Sequence, residues 1–342
     1  MKIAGFDIGG ANTDLAIIDF GGTGKINSIK VDFKYLPMWI KNNELGDALK
    51  TLLKSHINEV DAVGITMTAE LADAYETKKN GVLDIAGKVM DVFKVPVGFV
   101  SINGVIDYHH LLDYPENVAA ANWIATSKIA SKISDECILI DVGSTTTDII
   151  PIKDGIECAK GRSDLERLAT GELVYTGTLR TNLATIVHKV PLDDQWYRVS
   201  SELFSITADI HRILDNIKME DYSCDTPDGA GINKEDCMRR LSRLICGDLD
   251  VLTSLDIKHI SRYIYQEQVK QIAEALGEVS KRENISTVVG TGLGMEILAK
   301  KSAEYLNMDY VGMDSILTKE ECVVAPAVGT ALLMRDYLSS DF

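Results

Sequence analysis

Two short runs hold the residues best able to do chemistry: Asp7, Gly9, Gly10, Asn12, Thr13 and Asp14, and then Asp141, Gly143, Ser144, Thr145, Thr146 and Asp148. Each run sets an aspartate before a glycine-rich turn and closes with a second aspartate. Glycine lets backbone N–H groups come close to an anion, and the hydroxyl and amide side chains add donors. A carboxylate beside bound phosphate suits Mg²⁺, held directly or through water, so Asp7 and Asp141 are the expected metal ligands. The expected phosphate cradle is Gly9, Gly10, Asn12 and Thr13 in one half and Gly143, Ser144, Thr145 and Thr146 in the other. A single turn of this kind is an ordinary hairpin. Its recurrence implies two similar domains with a cleft between them.

Apolar runs flank both turns, so strand, turn, strand is the simplest reading of each. Residues 3–35 read as three strands, with Gly21, Gly22, Thr23 and Gly24 as a turn. Gly24-Lys25 is followed by Ile26 rather than Ser or Thr, so it is no Walker A loop. Leu45, Leu49, Leu52 and Leu53 recur at helical spacing. A strand over 62–67 runs into Thr68, Ala69 and Glu70, followed by a helix over 82–93 and a strand over 97–102. This order predicts an α/β fold of mixed sheets with helices packed on them.

An alanine-rich helix over 116–133 is expected to cross into the second half, where the order begins again. The predicted domains are therefore 1–115 and 116–342, the second with a largely helical insertion at 192–250 and a long helix over 257–282. A strand at 287–289 then enters Gly290-Thr291-Gly292-Leu293-Gly294, and Met295 opens a helix. Glycines and a helix N-terminus at one point would give Gly290, Gly292 and Gly294 a phosphate or nucleoside role. Pro326 is placed to start a final helix to about residue 338.

At 342 residues, 46% hydrophobic and 25% charged, the chain suits about two globular domains. Its 35 basic against 51 acidic residues give a net charge of −16, which repels nucleic acid and anionic membrane surfaces. No stretch reaches the ~20 apolar residues of a spanning helix, so a cytoplasmic protein is the expectation. The six cysteines contain no C-x-x-C pair, which argues for reduced thiols. Cys224, Cys237 and Cys246 are too loosely spaced to argue for zinc.

The two hairpins and the glycine-rich turn, in that order, resemble the actin, sugar-kinase and Hsp70 superfamily, and within it the hydantoinase/oxoprolinase branch. That resemblance implies two ribonuclease-H-like (actin-like ATPase) domains with mixed five-stranded sheets around a central cleft. Longer strings narrow it: residues 162–181, holding Arg162, Asp164, Arg167, Gly171, Tyr175, Gly177, Arg180 and Thr181, then 204–209, 226–231 and 239–243. They resemble the archaeal methanofuran-biosynthesis family and its bacterial relatives tied to tetrahydromethanopterin-linked C1 transfer.

The resemblance implies a transferase that joins an aminomethylfuran-methyl diphosphate to the phenol of γ-glutamyltyramine and releases diphosphate. Mg²⁺ and the hairpins would then hold the leaving group. Glu70, just past a strand end where the superfamily often has a catalytic carboxylate, is the first candidate for the base that takes the phenol proton; it is equally readable as a solvated helix-start residue. Asp148 and Asp209 are the next candidates. Arg162 and Arg180 would clamp phosphate or glutamyl carboxylates, or else form structural ion pairs. Tyr175 would stack on a furan or aryl ring, or simply pack. His211 is expected on a helix surface beside Arg212, without chemistry.

Two other functions fit the hairpins alone: an ATP-dependent kinase or hydantoinase/oxoprolinase-type amidohydrolase component, and a nucleotide-switched assembly protein. The expected partners are small molecules, with a homo-oligomer left open.

Overall fold

The computed structural model describes residues 1–340 except Thr23, Ser55, Ile57 and Asn58, with Ser340 by its backbone alone. Thr23, expected in the turn at 21–24, lies outside the described residues. Around it, Gly24 N–H donates to Gly21 O (2.9 Å) and Gly21 N–H to Lys25 O (2.8 Å).

The strands are β1 (Lys2–Ile8), β2 (Asn12–Phe20), β3 (Ile26–Tyr35), β4 (Ala62–Met67), β5 (Val97–Ser101), β6 (Gly104–Ile106), β7 (Cys137–Val142), β8 (Thr147–Lys153), β9 (Ile156–Glu157), β10 (Leu173–Val174), β11 (Lys189–Leu192), β12 (Gln195–Arg198), β13 (Thr287–Thr291) and β14 (Asp309–Gly312). The helices are α1 (Met38–Lys41), α2 (Leu45–Leu53), α3 (Lys78–Val92), α4 (Tyr108–Asp113), α5 (Asn122–Ala130), α6 (Asp164–Thr170), α7 (Thr207–Ile213), α8 (Lys234–Arg243), α9 (Ser254–Glu283), α10 (Lys300–Tyr305), α11 (Lys319–Val323) and α12 (Ala325–Ser340).

One sheet has the order β3-β2-β1-β4-β5-β6; the other runs β10-β8-β7-β13-β14, with β9 on β8. In the first, β1–β2, β2–β3 and β5–β6 are antiparallel, while β1–β4 and β4–β5 are parallel. The mixed character is as expected. Each of these two sheets, however, has six strands rather than five among the described residues, because short pairings (β6 on β5, β9 on β8) extend it, and β11 and β12 form a separate two-stranded sheet.

The chain divides into two compact units. The first is Met1–Cys137, Ile150–Arg167 and Met313–Phe342; the second is Ile138–Ile149 and Leu168–Gly312. Residues 116–137, 150–167 and 313–342, all expected in the second domain, thus belong to the first unit. The C-terminal helix shows why. Gly5, Gly64 and Gly98 are register neighbours across β1, β4 and β5. A Cβ at Gly5 would lie 2.1 Å from Ala327 O, and one at Gly64 would lie 2.9 Å from Thr330. This bare row lets α12 close directly on the sheet.

The alanine-rich run is shorter as a helix than its composition predicts, starting only at Asn122. Upstream, Ala119 bridges Met67, Ile102 N–H donates to Asn117 O (2.9 Å), and Ala120 takes φ +50°. Backbone pairing to strand ends overrides alanine's helix preference there. The insertion at 192–250 is likewise not largely helical. It holds β12, the seven-residue α7 and the ten-residue α8, joined by turns.

Separate apolar cores back these elements. Phe6, Ile65, Val82, Val89 and Phe99 belong to the core of the first sheet, and Ile138, Ile140, Ile272, Leu276 and Val288 to that of the second. Ile210, Ile213, Leu241, Ile257 and Ile264 form a third beneath α7 and α8.

Candidate functional site

In the first unit Gly9 N–H donates to Asn12 O (2.9 Å), closing the tight turn between β1 and β2. In the second unit Gly143 N–H donates to Thr146 O (3.0 Å), closing its counterpart between β7 and β8 in the same way. The repeated sequence therefore makes a repeated backbone shape. Among the described residues no hydrogen-bond acceptor takes the amides of Gly10, Ala11, Ser144 or Thr145. Consecutive free amides on a tight turn are the ingredients of an anion nest.

Around the first turn, Asp7 lies opposite Asp14 on β2 and beside Thr66 on β4. Register partners point to the same side, so all three occupy one face of the sheet. Burial pushes the Asp14 carboxyl up to about 7. Asn12 Oδ1, Thr13 Oγ1 and Thr66 Oγ1 are buried without a hydrogen-bond partner. Such groups are costly unless something meets them. Two opposed carboxylates, one of them starved of countercharge, with oxygen donors alongside, fit a hydrated Mg²⁺. Among the described residues no three His, Cys, Asp or Glu side chains converge on a metal site.

Glu70 sits in a 3₁₀ turn, Ala69–Leu71, directly after β4. Its residue exposure is 0%, and neither carboxyl oxygen has a hydrogen-bond partner. Burial raises its carboxyl to about 7, only partly offset by nearby backbone N–H groups and the Lys78 ammonium. It is not a solvated helix-start residue. Gly81 of α3 holds the turn in place from behind, since a Cβ there would lie 2.3 Å from Glu70 O. Lys78 pairs with Asp164 (3.4 Å), which also takes Arg167 (2.8 Å); the Arg167 guanidinium lies over the Trp123 ring at 5.2 Å.

The second turn is braced by residues 176–180. Thr178 N–H donates to Gly143 O (2.9 Å), and Leu179 and Arg180 N–H both donate to Ser144 O (3.0 and 2.9 Å). Thr147 Oγ1 donates to Thr176 O (2.7 Å), and Arg180 Nη1 to Thr145 Oγ1 (3.4 Å). From the other side Gly294 N–H donates to Val142 O (3.0 Å), Gly292 has φ +84°, and Thr291 lies beside Asp141 in register. Asp141 and Asp148 are both nearly buried, at 8% and 6% exposure. So Asp141, Gly143–Thr146, Arg180, Gly292 and Gly294 do come together. Gly290 does not: it lies inside β13, paired with Gly312, because the strand runs two residues further than its apolar run. Met295 opens a π-helical turn, Met295–Ala299, rather than an α-helix.

Residues 61–337 match the hydantoinase/oxoprolinase family. The chain belongs to that family. It is 42% identical over 340 residues, 99% of both chains, to the (4-{4-[2-(gamma-L-glutamylamino)ethyl]phenoxymethyl}furan-2-yl)methanamine synthase of Methanocaldococcus jannaschii. It is 38% identical over 215 residues to the synthase of the same name from Methanococcus vannielii, covering 62% of this chain and 96% of that one. In fold it is similar to a nucleotide-free acetone carboxylase (TM-score 0.61, 10% identity, 97% of this chain and 70% of that one). It is also similar to a ROK-family glucokinase from Streptomyces griseus with glucose and AMPPNP (TM-score 0.51, 14% identity, 98% and 100%).

In this hydantoinase/oxoprolinase-family chain, several residues expected at the site serve as scaffold instead. Asp209 is fully buried, and both its oxygens are engaged. Oδ1 accepts from Tyr222 OH (2.9 Å) and Arg240 Nη2 (2.6 Å); Oδ2 accepts from Ser205 Oγ (2.8 Å) and Ile206 N–H (3.1 Å). Arg240 also reaches Asp228 Oδ1 (3.1 Å) and Gly231 O (3.0 Å). The strings 204–209, 226–231 and 239–243 thus meet in one buried ion pair, leaving Asp209 no lone pair for a base's work. Removing one partner of such a pair strands a buried charge. Arg240→Leu is expected to cost about 3–5 kcal/mol, read by urea denaturation; a loss under about 1 kcal/mol would mean water relieves the charge.

Arg162 binds Glu157 (2.9 Å) and Ile102 O and lies over Trp123 (5.4 Å), so it is a structural cation of the first unit. Tyr175 is 64% exposed, with its ring stacked on no other among the described residues. His211 is fully buried rather than on a surface, and burial lowers its imidazole to about 4. Sequence reasoning gave no chemical role to Asp14, Lys78, Gly81 or Gly177. For Asp14 the signal was present: it stands in the first run where Asp148 stands in the second. Among the described residues no helix is long and apolar enough to cross a membrane.

Proposed function

We propose that this chain catalyses aryl-ether formation in methanofuran assembly, joining the diphosphate-bearing methylene of an aminomethylfuran to the phenol oxygen of γ-glutamyltyramine. The observation that carries this is the 42% identity to a named synthase of the ether product along 99% of both chains. In the step, the bond from the methylene carbon to the diphosphate oxygen breaks, the electron pair leaving with diphosphate. The phenol oxygen forms a bond to that carbon, and the phenol proton passes to a base.

The residues support this division of labour. The free amides of Ser144 and Thr145, with Arg180 beside them, suit the charge that builds on a departing diphosphate. Bound Mg²⁺ would supply further neutralisation of that charge, with Asp141 the carboxylate of the same unit that would face it. A phenol titrates near ~10, and a carboxyl at about 7 is a more competent acceptor for its proton than an ordinary glutamate. Glu70 is the base we assign.

The test is incubation with Mg²⁺, the furan diphosphate and γ-glutamyltyramine, without nucleotide. Ether and diphosphate should appear in equal amounts, with no stimulation by ATP. ATP consumption coupled to a phosphorylated product, or no ether at all, overturns the assignment.

A further inference from the structure

We infer that Gln268 is a positioning residue for the phosphate-holding turn of the second unit, acting through Thr176 and Gly177. The inference rests on the reading of Gly143–Thr146 as that turn.

Gln268 lies in the 30-residue α9 and is completely buried. Its Nε2 lies 2.9 Å from Gly177 O and 3.0 Å from Thr176 Oγ1. A carbonyl can only accept, so the amide nitrogen must face Gly177. That leaves Oε1 toward His211 Nε2 (3.2 Å), which must carry the ring proton, and His211 Nδ1 then accepts from Asn216 Nδ2 (3.1 Å). The chain of bonds has one consistent set of directions, and the neutral imidazole that it needs is the form burial favours.

The far end of the chain is the turn itself. Gly177 O also accepts from Thr207 Oγ1 (3.0 Å), and Gly177 N–H donates to Thr181 Oγ1 (2.9 Å). The next three amides, of Thr178, Leu179 and Arg180, hold the carbonyls of Gly143 and Ser144. With those carbonyls tied down on one side, the amides of Ser144 and Thr145 are kept for a ligand. Gln268 therefore fixes the height of the 176–180 segment, and the segment fixes the turn. A side chain that merely filled space would not need its amide aimed at a neighbouring carbonyl and hydroxyl at once.

The same helix provides an internal control. One turn away, Gln271 Nε2 donates to Ile186 O (3.2 Å), a comparable bond that does not involve the 176–180 segment. Gln268→Leu keeps the volume and loses the bonds; Gln268→Glu keeps the shape and places an acceptor against Gly177 O. Both are expected to weaken binding of Mg²⁺-diphosphate about tenfold by calorimetry and to raise KM for the diphosphate donor about tenfold. KM for the phenol should stay within about twofold. Gln271→Leu should lower the melting temperature comparably and leave diphosphate binding unchanged. Matching diphosphate affinities for the Gln268 and Gln271 variants would overturn the inference while sparing the turn. Absence of Mg²⁺-diphosphate binding by the wild-type chain would overturn both.

Discussion

Glu70→Gln is expected to lower turnover by about 10²–10⁴-fold and, at pH 8, to make the protein more stable. The two effects share a cause. The folded carboxyl titrates near 7, against an ordinary value of 4.5, because burial disfavours its charge. Below 4.5 the group is protonated in both folded and unfolded chains, and its contribution to stability is complete. As pH rises through 7 the folded chain must ionise a buried group, and that contribution is lost. The loss is at most roughly 3–4 kcal/mol, since each tenfold difference in proton affinity between folded and unfolded chains is worth about 1.4 kcal/mol. Glutamine never ionises, so the variant should gain on the wild type between pH 5 and pH 8 in urea denaturation. Asp14, also near 7, pulls the same way and remains in the variant, so some pH dependence should persist. In wild-type kinetics kcat should rise with pH through about 7 and then level off. Wild-type turnover by the variant would remove Glu70 from the chemistry. An unchanged pH dependence of stability would mean water reaches the carboxylate.

The hairpins were legible in the sequence because their chemistry is local: an aspartate, a glycine-rich turn and hydroxyls give the same Gly-to-carbonyl closure twice. Glu70 was legible by position, just past a strand end. Its isolation from hydrogen-bond partners was not, because that depends on α3 approaching at Gly81, eleven residues away along the chain. The membership of the C-terminal helix was hidden for a similar reason. Pro326 marks where a helix can begin but says nothing about which sheet it covers; that is set by Gly5, Gly64 and Gly98, which become a row only in register. Asp209 shows the opposite error. A string that resembles a family identifies residues the fold needs as readily as those the reaction needs, and only the occupied contacts on its oxygens tell the two apart. His211 looked like a surface residue beside Arg212, yet α7 is short and buried on nearly all sides.

The other large effect belongs to a residue with no side chain. Gly177 is not in the left-handed region, so alanine there suffers no backbone penalty; what it meets is matter. Its Cβ would lie 2.6 Å from both N and C of Thr145 and 2.7 Å from C of Ser144, all of them main-chain atoms of the turn between β7 and β8. A flexible side chain could swing away, but these atoms can yield only if the turn itself shifts. Displacement of a positioned group by about 1 Å costs on the order of 10²-fold in rate. Gly177→Ala is therefore expected to reduce kcat/KM for the diphosphate donor about 100-fold and to weaken Mg²⁺-diphosphate binding, in a chain that still folds. Gly87→Ala supplies the contrast: Gly87 lies within α3, a Cβ there meets nothing within 4 Å, and alanine should stabilise by about 0.5–1 kcal/mol without touching activity. A Gly177→Ala enzyme with normal diphosphate affinity would show that the turn can move without consequence, and hence that its amides do not hold the phosphates.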